Sequence, residues 1–114
     1  MILEESIETY LREQVKPFGA RCDKCVNLTR IGWPDRTVQW PGLGLDLVEL
    51  KKPGKGARAS QERVHTYLAG CNTPVYLLNT KDAVDAYIIC RSRGLHIPGY
   101  WSIDTPELRR AVYR

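Results

Sequence analysis

Two β-rich runs around a short Pro/Gly connection constrain the fold more than any other part of this 114-residue chain. The runs are residues 35–40 (DRTVQW) and 45–51 (LDLVELK), and they flank Pro41-Gly42-Leu43-Gly44. This arrangement predicts a β-hairpin. Counting back from the connection places Asp35 opposite Leu50, one position from Glu49. A one-residue bulge in the turn would bring the two carboxylates together.

The segments on either side of the hairpin predict three helices. Residues 3–16 carry apolar residues at four-residue spacing and glutamates in the first turn, and Pro17 and Gly19 follow them. This pattern predicts an amphipathic helix. Residues 61–70 and 81–90 also show a helical apolar stripe, with Ser60 and Thr80 as their candidate N-caps.

Two further strands complete the order of elements. Residues 74–78 (PVYLL) form a continuous apolar run, which is expected of a strand covered on both faces. Residues 20–28 are short and compatible with a strand. The predicted order is therefore α-β-β-β-α-β-α in one α/β domain, with a mixed central sheet flanked by helices, followed by a less readable tail from Arg91.

Composition excludes several other classes of protein. The chain is 43% hydrophobic and 26% charged, values that exclude a disordered or collagen-like chain. No apolar run approaches the ~18 residues of a membrane span, so we expect no membrane association. The first eleven residues (MILEESIETYL) contain three glutamates and no basic segment, so they do not resemble a secretory signal. We therefore expect a reducing, cytoplasmic location, in a host cell if the protein is phage-encoded, with the cysteines as thiols.

The net charge of +4 is mild, but the basic residues are clustered. One cluster follows the hairpin and a second marks the C-terminal quarter: Lys51, Lys52, Lys55, Arg58 and Arg63, then Arg91, Arg93, Arg109, Arg110 and Arg114. Such clusters attract polyanions, of which nucleic acid is the commonest. A solvated, solubilising face is the alternative.

The end of the second β-rich run places a carboxylate and an ammonium on one face. Side chains alternate along a strand, so Glu49 and Lys51 project together, and Val48 and Leu50 can pack under a helix on the other face. Two carboxylates as close as Asp35 and Glu49 repel each other unless a cation lies between them, and oxygen ligands suit Mg²⁺ or Mn²⁺. The glycine-rich loop after Lys51 leaves room for a bulky polyanion.

Three short segments carry a family resemblance. They are Ile31-Gly32-Trp33-Pro34-Asp35, Val48-Glu49-Leu50-Lys51 and Ser60-Gln61. Together they resemble the VRR-NUC domain of the PD-(D/E)XK nuclease superfamily, in particular its short stand-alone phage and bacterial members. A bare D…E-x-K triplet often arises by chance. The triplet becomes specific with the G-x-P-D turn before it, the glutamine ten residues after it and this element order. The similarity covers about residues 2–88.

The resemblance implies hydrolysis of DNA phosphodiester bonds with Mg²⁺ or Mn²⁺ as cofactor and no small-molecule cofactor. Asp35, Glu49 and the Leu50 carbonyl would bind the metal ion. Lys51 would position the attacking water or stabilise the developing negative charge, and Gln61 would orient the nucleophile or a DNA phosphate. An acidic residue on the first helix would complete the metal site. Glu4 matches best by position, and Glu5 and Glu8 are the alternatives.

The resemblance also implies a partner and an assembly. Stand-alone relatives of this size resemble enzymes that resolve four-way DNA junctions as homodimers, and two-fold symmetry suits a substrate with two equivalent strands. We assign residues 1–90 to the nuclease domain and residues 91–114 to an extension packed on the same domain. The apolar segment 95–101 is a candidate dimer surface. The candidate phosphate contacts, which would give affinity without sequence specificity, are Lys24, Lys52, Lys55 and Arg58.

Other interpretations of the same residues remain open. Glu49 and Lys51 could be a solvent-facing pair on an edge strand, and Gln61 could be an ordinary exposed residue at the first helical position. His65 is expected at the surface, with DNA contact as the alternative. Cys22-x-x-Cys25 could ligate zinc, but without a second such pair buried thiols are favoured. The whole chain could also be a non-catalytic nucleic-acid-binding module or an accessory protein of a phage replication or repair complex.

Overall fold

A computed structural model describes residues 3–94 of the chain. Its elements, in chain order, are α1 (Glu4–Val15), a short 3₁₀ turn (Lys16–Phe18), β1 (Arg21–Lys24), β2 (Arg36–Trp40), β3 (Gly44–Leu50), α2 (Ala59–Gly70), β4 (Val75–Leu78) and α3 (Lys81–Ser92). The predicted order α-β-β-β-α-β-α is confirmed. The candidate dimer surface at 95–101 lies outside the described residues.

The four strands form one mixed sheet in the order β1-β2-β3-β4. The first three strands pair antiparallel as a meander, and β4 pairs parallel with β3 after the α2 crossover. Within the hairpin, Arg36 faces Val48 and Trp40 faces Gly44. The register is therefore one residue from the predicted one, because β3 begins at Gly44, whose φ of 116° only glycine adopts readily. Extended by one residue, the observed register places Asp35 opposite Glu49, and not opposite Leu50.

The two faces of the sheet are covered by different helices. One face packs on α1 and α3 through the larger core, which includes Val48 and Leu50 as the alternation of the strand predicts. The other face carries a smaller cluster under α2, formed by Leu47, Val64, Leu68 and Val75, with Trp33 packed against it. Glu49 and Lys51 therefore face α2, so the alternative of a solvent-facing pair on an edge strand is wrong for Glu49.

Of the two predicted helix N-caps, the structure confirms one and contradicts the other. Thr80 caps α3 as predicted, since its hydroxyl oxygen accepts a hydrogen bond of 2.9 Å from the Ala83 amide. Ser60 is not the N-cap of α2, which begins at Ala59 with Arg58 as its N-cap. The Gln61 side chain closes this end by accepting a 2.8 Å hydrogen bond from the Arg58 amide. Gln61 is therefore the third helical residue, and its side chain is held against the helix end.

A buried polar network joins α3 to the hairpin. One Asp46 oxygen accepts hydrogen bonds from the Tyr87 hydroxyl at 2.6 Å and from Arg91 Nε at 2.8 Å. The Tyr87 hydroxyl in turn accepts one from the Trp40 indole at 3.0 Å. Burial, and then the Asp46 charge, raise the pKa of Tyr87 well above its ordinary value. The network fixes how α3 packs on β3, and Trp40 belongs to the core.

Membrane insertion has no support in the described part of the chain. Among residues 3–94, no helix combines the length and the apolar character needed to cross a membrane. The longest helices have twelve residues.

Candidate active site

The residues of the D…E-x-K pattern line a single cavity of about 440 Å³ on the α2 side of the sheet. Its walls are Glu4, Gly32, Trp33, Asp35, Glu49, Lys51, Arg58 and Gln61. They come from four places: the start of α1, the loop before β2, the end of β3 and the start of α2. A larger cavity of about 580 Å³ lies between α1 and α3, and none of these residues lines it.

Glu49 is the most deeply buried acid of the cavity, with only 2% of its surface exposed. One carboxylate oxygen lies 3.8 Å from Lys51 Nζ, and the other, Oε1, lies 3.9 Å from His65 Nε2. Within residues 3–94, Oε1 is buried and accepts no hydrogen bond. A buried carboxylate in this state is costly, so it must take up a proton or face a cation.

The electrostatics of the pair lead to the same requirement. Burial, and then the negative charge of Asp35, raise the pKa of Glu49 to about 8, while Lys51 opposes the rise. Burial also raises the pKa of Asp35, against the opposing charge of Arg36. Keeping both carboxylates ionised at neutral pH therefore costs electrostatic free energy. A divalent cation bound between them would offset this cost, because its positive charge would stabilise both ionised carboxylates in place of a bound proton.

Asp35 reaches the site because of the hairpin register. It stands immediately before β2, and its Oδ1 accepts a long hydrogen bond of 3.4 Å from the Leu50 amide. The end of β3 is held on its other side, where the Lys51 amide donates to the Leu78 carbonyl at 3.1 Å. The backbone of Leu50 therefore lies between Asp35 and the neighbouring strand β4. The Leu50 amide is thus turned toward Asp35, and the role of the Leu50 carbonyl as a metal ligand stays a prediction.

The three glutamates of the first helix are separated by the structure. Glu4 lines the cavity, and its charge contributes to the raised pKa of Glu49. Glu5 faces the cavity between α1 and α3. Glu8 forms ion pairs with Arg36 at 2.8 Å and with Arg12 at 2.5 Å, and its hydrogen bond with Arg36 lowers its pKa. Of the three candidates, Glu4 alone lines the cavity, and its role as a metal ligand stays a prediction.

Helix α2 supplies two buried polar residues to the site. Gln61 is 5% exposed, so the alternative of an ordinary exposed residue is wrong. His65, one turn further along, is completely buried beside Glu49, so its predicted surface position is also wrong. Burial, and then the Lys51 charge, lower the pKa of His65 to about 4, which keeps the imidazole neutral. The i, i+4 spacing from Gln61 was the sequence signal that these side chains share a face.

The four predicted phosphate contacts are exposed but not equally placed. Arg58 lines the cavity directly. Lys52 and Lys55 lie in the loop between β3 and α2, where the Lys55 carbonyl accepts a 3.1 Å hydrogen bond from Asn79. Lys24 ends the edge strand β1 and does not line the cavity. The structure therefore brings Arg58 to the site and leaves Lys24 apart from it.

The donor set fits a hard divalent ion better than zinc. Two carboxylates with raised pKa values, one of which has a buried oxygen unpartnered among residues 3–94, are the oxygen donors that Mg²⁺ or Mn²⁺ takes with additional waters. Among residues 3–94 there is no group of three or more His, Cys, Asp or Glu residues arranged to hold a metal ion, so water would have to complete the shell. At the C-x-x-C pair, burial raises the pKa of Cys22 to about 11, which disfavours a zinc-binding thiolate.

Comparison with known proteins gives one informative result. No protein-family model matches the chain, and no curated protein matches it. A solved structure described as "VRR_NUC domain" superposes with a TM-score of 0.69 at 24% sequence identity. The match covers 75% of this chain and 92% of that one. The predicted fold, a mixed sheet flanked by helices in the order α-β-β-β-α-β-α, is confirmed, and the chain shares this fold with the VRR_NUC domain structure.

Proposed function

We propose that this chain is a divalent-metal-dependent deoxyribonuclease that hydrolyses phosphodiester bonds. The observation that carries the proposal is the buried Glu49 carboxylate, which lies beside Asp35 and Lys51 with one oxygen unpartnered among the described residues. A protein that only bound nucleic acid would need neither buried acid, and retaining them costs stability. The fold shared with a VRR_NUC domain supports the same reaction class.

In this proposal Asp35, Glu49 and the Leu50 carbonyl hold the metal ion, and Glu4 completes the site. The bound ion would polarise the scissile phosphate and supply a water of lowered pKa. Lys51, whose Nζ is 3.8 Å from Glu49, lies at the mouth of the acidic pair and stabilises negative charge on the phosphate oxygens. The Lys51 backbone is hydrogen-bonded to β4, and its mostly buried side chain is paired with Glu49, so both restrain the ammonium near the acidic pair before substrate arrives.

The remaining residues of the site orient the reactants. Gln61 has its carbonyl oxygen engaged with the Arg58 amide, which leaves its amide nitrogen as the group available to donate to a water or a phosphate. Arg58 stands at the rim and binds a neighbouring phosphate. Lys52 and Lys55 extend this positive surface along the loop, and Lys24 contacts DNA at most peripherally.

The substrate we propose is branched DNA, cut by a homodimer. The 440 Å³ cavity holds one set of the proposed catalytic residues, whereas a four-way junction has two equivalent strands to cut. Phosphate contacts from exposed basic side chains give affinity without sequence preference, which suits an enzyme selective for DNA shape. Sedimentation of the protein alone and with junction DNA tests the assembly, and a monomer in both states would refute it.

A cleavage assay tests the reaction itself. Labelled four-way junction and linear duplex are incubated with Mg²⁺, Mn²⁺ or EDTA, using the wild type, Lys51→Ala and the control Lys16→Ala. Lys16 is an exposed residue paired with Glu13 and distant from the cavity lining. We expect metal-dependent cuts that fall about 10²-fold or more in Lys51→Ala and are unchanged in the control.

Two results would contradict the proposal. Cleavage that survives EDTA, or that Lys51→Ala leaves intact, would place the activity elsewhere. Tight DNA binding with no cleavage in either metal would favour the non-catalytic binding module or the accessory protein of a phage complex.

A further inference from the structure

The loop between β1 and β2 exposes an unusual amount of aliphatic surface. Leu28 is 93% exposed, Ile31 83% and Val26 73%, and they are the three most exposed large apolar side chains of residues 3–94. Single exposed aliphatic residues are ordinary, but three within six positions of one loop are not. We call residues 25–34 the aliphatic loop.

Several contacts hold the aliphatic loop in a defined conformation. Its base is closed by a 2.9 Å hydrogen bond from the Cys25 amide to the Asp35 carbonyl. At the tip, the Asn27 side chain accepts hydrogen bonds from both the amide and the hydroxyl of Thr29, at 3.0 and 2.9 Å. This turn spans Leu28 and displays its side chain outward.

The far side of the aliphatic loop is anchored to α2. Gly32 sits so close to this helix that a Cβ would lie 2.5 Å from the Ser60 carbonyl oxygen. The Arg30 guanidinium stacks 4.8 Å above the centre of the Tyr67 ring. The backbone that carries the exposed side chains is therefore ordered before any partner binds, which lowers the entropic cost of binding.

The aliphatic loop also borders the candidate active site. Gly32 and Trp33 line the catalytic cavity, while the preceding Arg30 and Ile31 line an adjoining cavity of about 380 Å³. Arg63, Ser60 and Val64 of α2 complete the adjoining cavity. Apolar and cationic groups thus stand side by side next to the acidic pair, and residues 25–34 contain no acidic side chain.

We propose that the aliphatic loop is a wedge that inserts Leu28 and Ile31 against DNA bases that are unstacked at a branch or distortion, while Arg30 and Arg63 hold the flanking phosphates. This proposal rests on the proposed nuclease function and names the feature of the substrate that is recognised. Insertion of aliphatic side chains between base steps, with arginines on the backbone, is an established way of binding distorted DNA. Two arginines line the adjoining cavity and residues 25–34 contain no acidic side chain, and this charge pattern favours a polyanion over an apolar protein surface.

The test is a binding experiment in EDTA, so that no strand is cut. The probes are a four-way junction and a linear duplex of the same arms, each with a fluorescent adenine analogue whose emission is quenched by stacking. The branch point carries the analogue in the junction. The variants are the double substitution Leu28→Ser/Ile31→Ser, the conservative Leu28→Met, and the control Leu45→Ser, an exposed leucine at the far end of β3.

The wild type and Leu28→Met should raise the emission of the junction probe on binding. The double variant should lose this rise and bind the junction about tenfold or more weakly, as expected from the loss of two buried aliphatic contacts, with duplex affinity unchanged. The Leu45→Ser control should behave as the wild type. Circular dichroism verifies that the substitutions leave the fold intact.

The proposal is overturned if the wild type binds the junction without a rise in emission, or if the double variant equals the wild type. It is also overturned if the substitutions alter only the sedimentation of the protein, since the loop would then cover a second copy. The cleavage assay and the emission of the probe distinguish a failure of the proposed nuclease function from a failure of the proposed wedge. Cleavage with no unstacking refutes only the wedge, and unstacking with no cleavage in any metal refutes only the nuclease.

Discussion

Replacing Glu49 by Gln should stabilise the metal-free protein at alkaline pH while abolishing its metal response. Glu49 is 2% exposed, and burial together with Asp35 raises its pKa to about 8. In the unfolded chain the same carboxyl titrates near its ordinary value of 4.5. Between these two pH values the folded state holds a proton that the unfolded state has lost.

The sign and size of the effect follow from proton linkage. Because the folded state binds more protons in this window, the free energy of unfolding falls as pH rises, by up to about 1.4 kcal/mol per pH unit. Across the whole window the loss is about 5 kcal/mol, of which about 4 kcal/mol is reached by pH 8. A buried glutamine amide has its own desolvation cost of about 1–3 kcal/mol. We therefore expect Glu49→Gln to be more stable than the wild type by about 2 kcal/mol at pH 8, and less stable by about 1 kcal/mol at pH 5.

Thermal unfolding in EDTA at pH 5 and pH 8 measures the difference. For a domain of this size, about 2 kcal/mol corresponds to a rise in Tm of about 10 °C at pH 8. Addition of Mn²⁺ at a hundredfold excess over Kd should increase the free energy of unfolding of the wild type by about 2.7 kcal/mol, and so raise its Tm, but leave Glu49→Gln unchanged. Glu13→Gln is the control, since Glu13 is an exposed helical acid that is paired with Lys16 and does not line the candidate active site.

Two outcomes would refute the reasoning. If Glu49→Gln unfolds at a lower temperature than the wild type at pH 8, the buried carboxylate is not under electrostatic strain. If both proteins show the same dependence of Tm on pH, some group other than Glu49 carries the proton.

Three further predictions follow from individual contacts, each measured by chemical denaturation. Gly32→Ala should destabilise the protein by about 1–3 kcal/mol and reduce cleavage, because the φ of 90° and the nearby Ser60 carbonyl both disfavour a Cβ. An unchanged denaturation midpoint would show that the loop shifts to accommodate the methyl group. Asp46→Ala should cost about 3–5 kcal/mol, because it leaves the Tyr87 network without its central acceptor; a loss below about 1 kcal/mol would contradict this. Thr80→Ala should cost about 1 kcal/mol through the lost cap of α3, with Thr80→Ser restoring stability; equal losses in both would implicate the methyl group instead.

Local chemistry was sufficient for much of the fold. Turn residues, apolar spacing and a capping hydroxyl are readable within a few positions, so the order of the elements and the Thr80 cap were predictable. The alternation of β3 also indicated that Glu49 and Lys51 share a face. The register of the hairpin was missed by one residue, because it depends on the backbone conformation at Gly44.

The environment of the site was much less predictable. His65 was expected at the surface and is fully buried, because the crossover to β4 lays that face of α2 over Glu49. The Asp46–Arg91 contact joins residues 45 positions apart, beyond the reach of any local pattern. Glu4 was favoured by position, but only the packing of α1 separates it from Glu8, which is engaged by Arg36.

Sequence alone thus determined the elements and their order, since these follow from side-chain periodicity and turn residues, whereas the roles predicted for the acids and the lysine rest on the motif resemblance. Tertiary structure decided which neighbours each group has, and with them its charge state. The raised pKa of Glu49 illustrates the difference. It arises from burial under α2 and from the proximity of Asp35 across a strand, and both depend on contacts between residues that are distant along the chain.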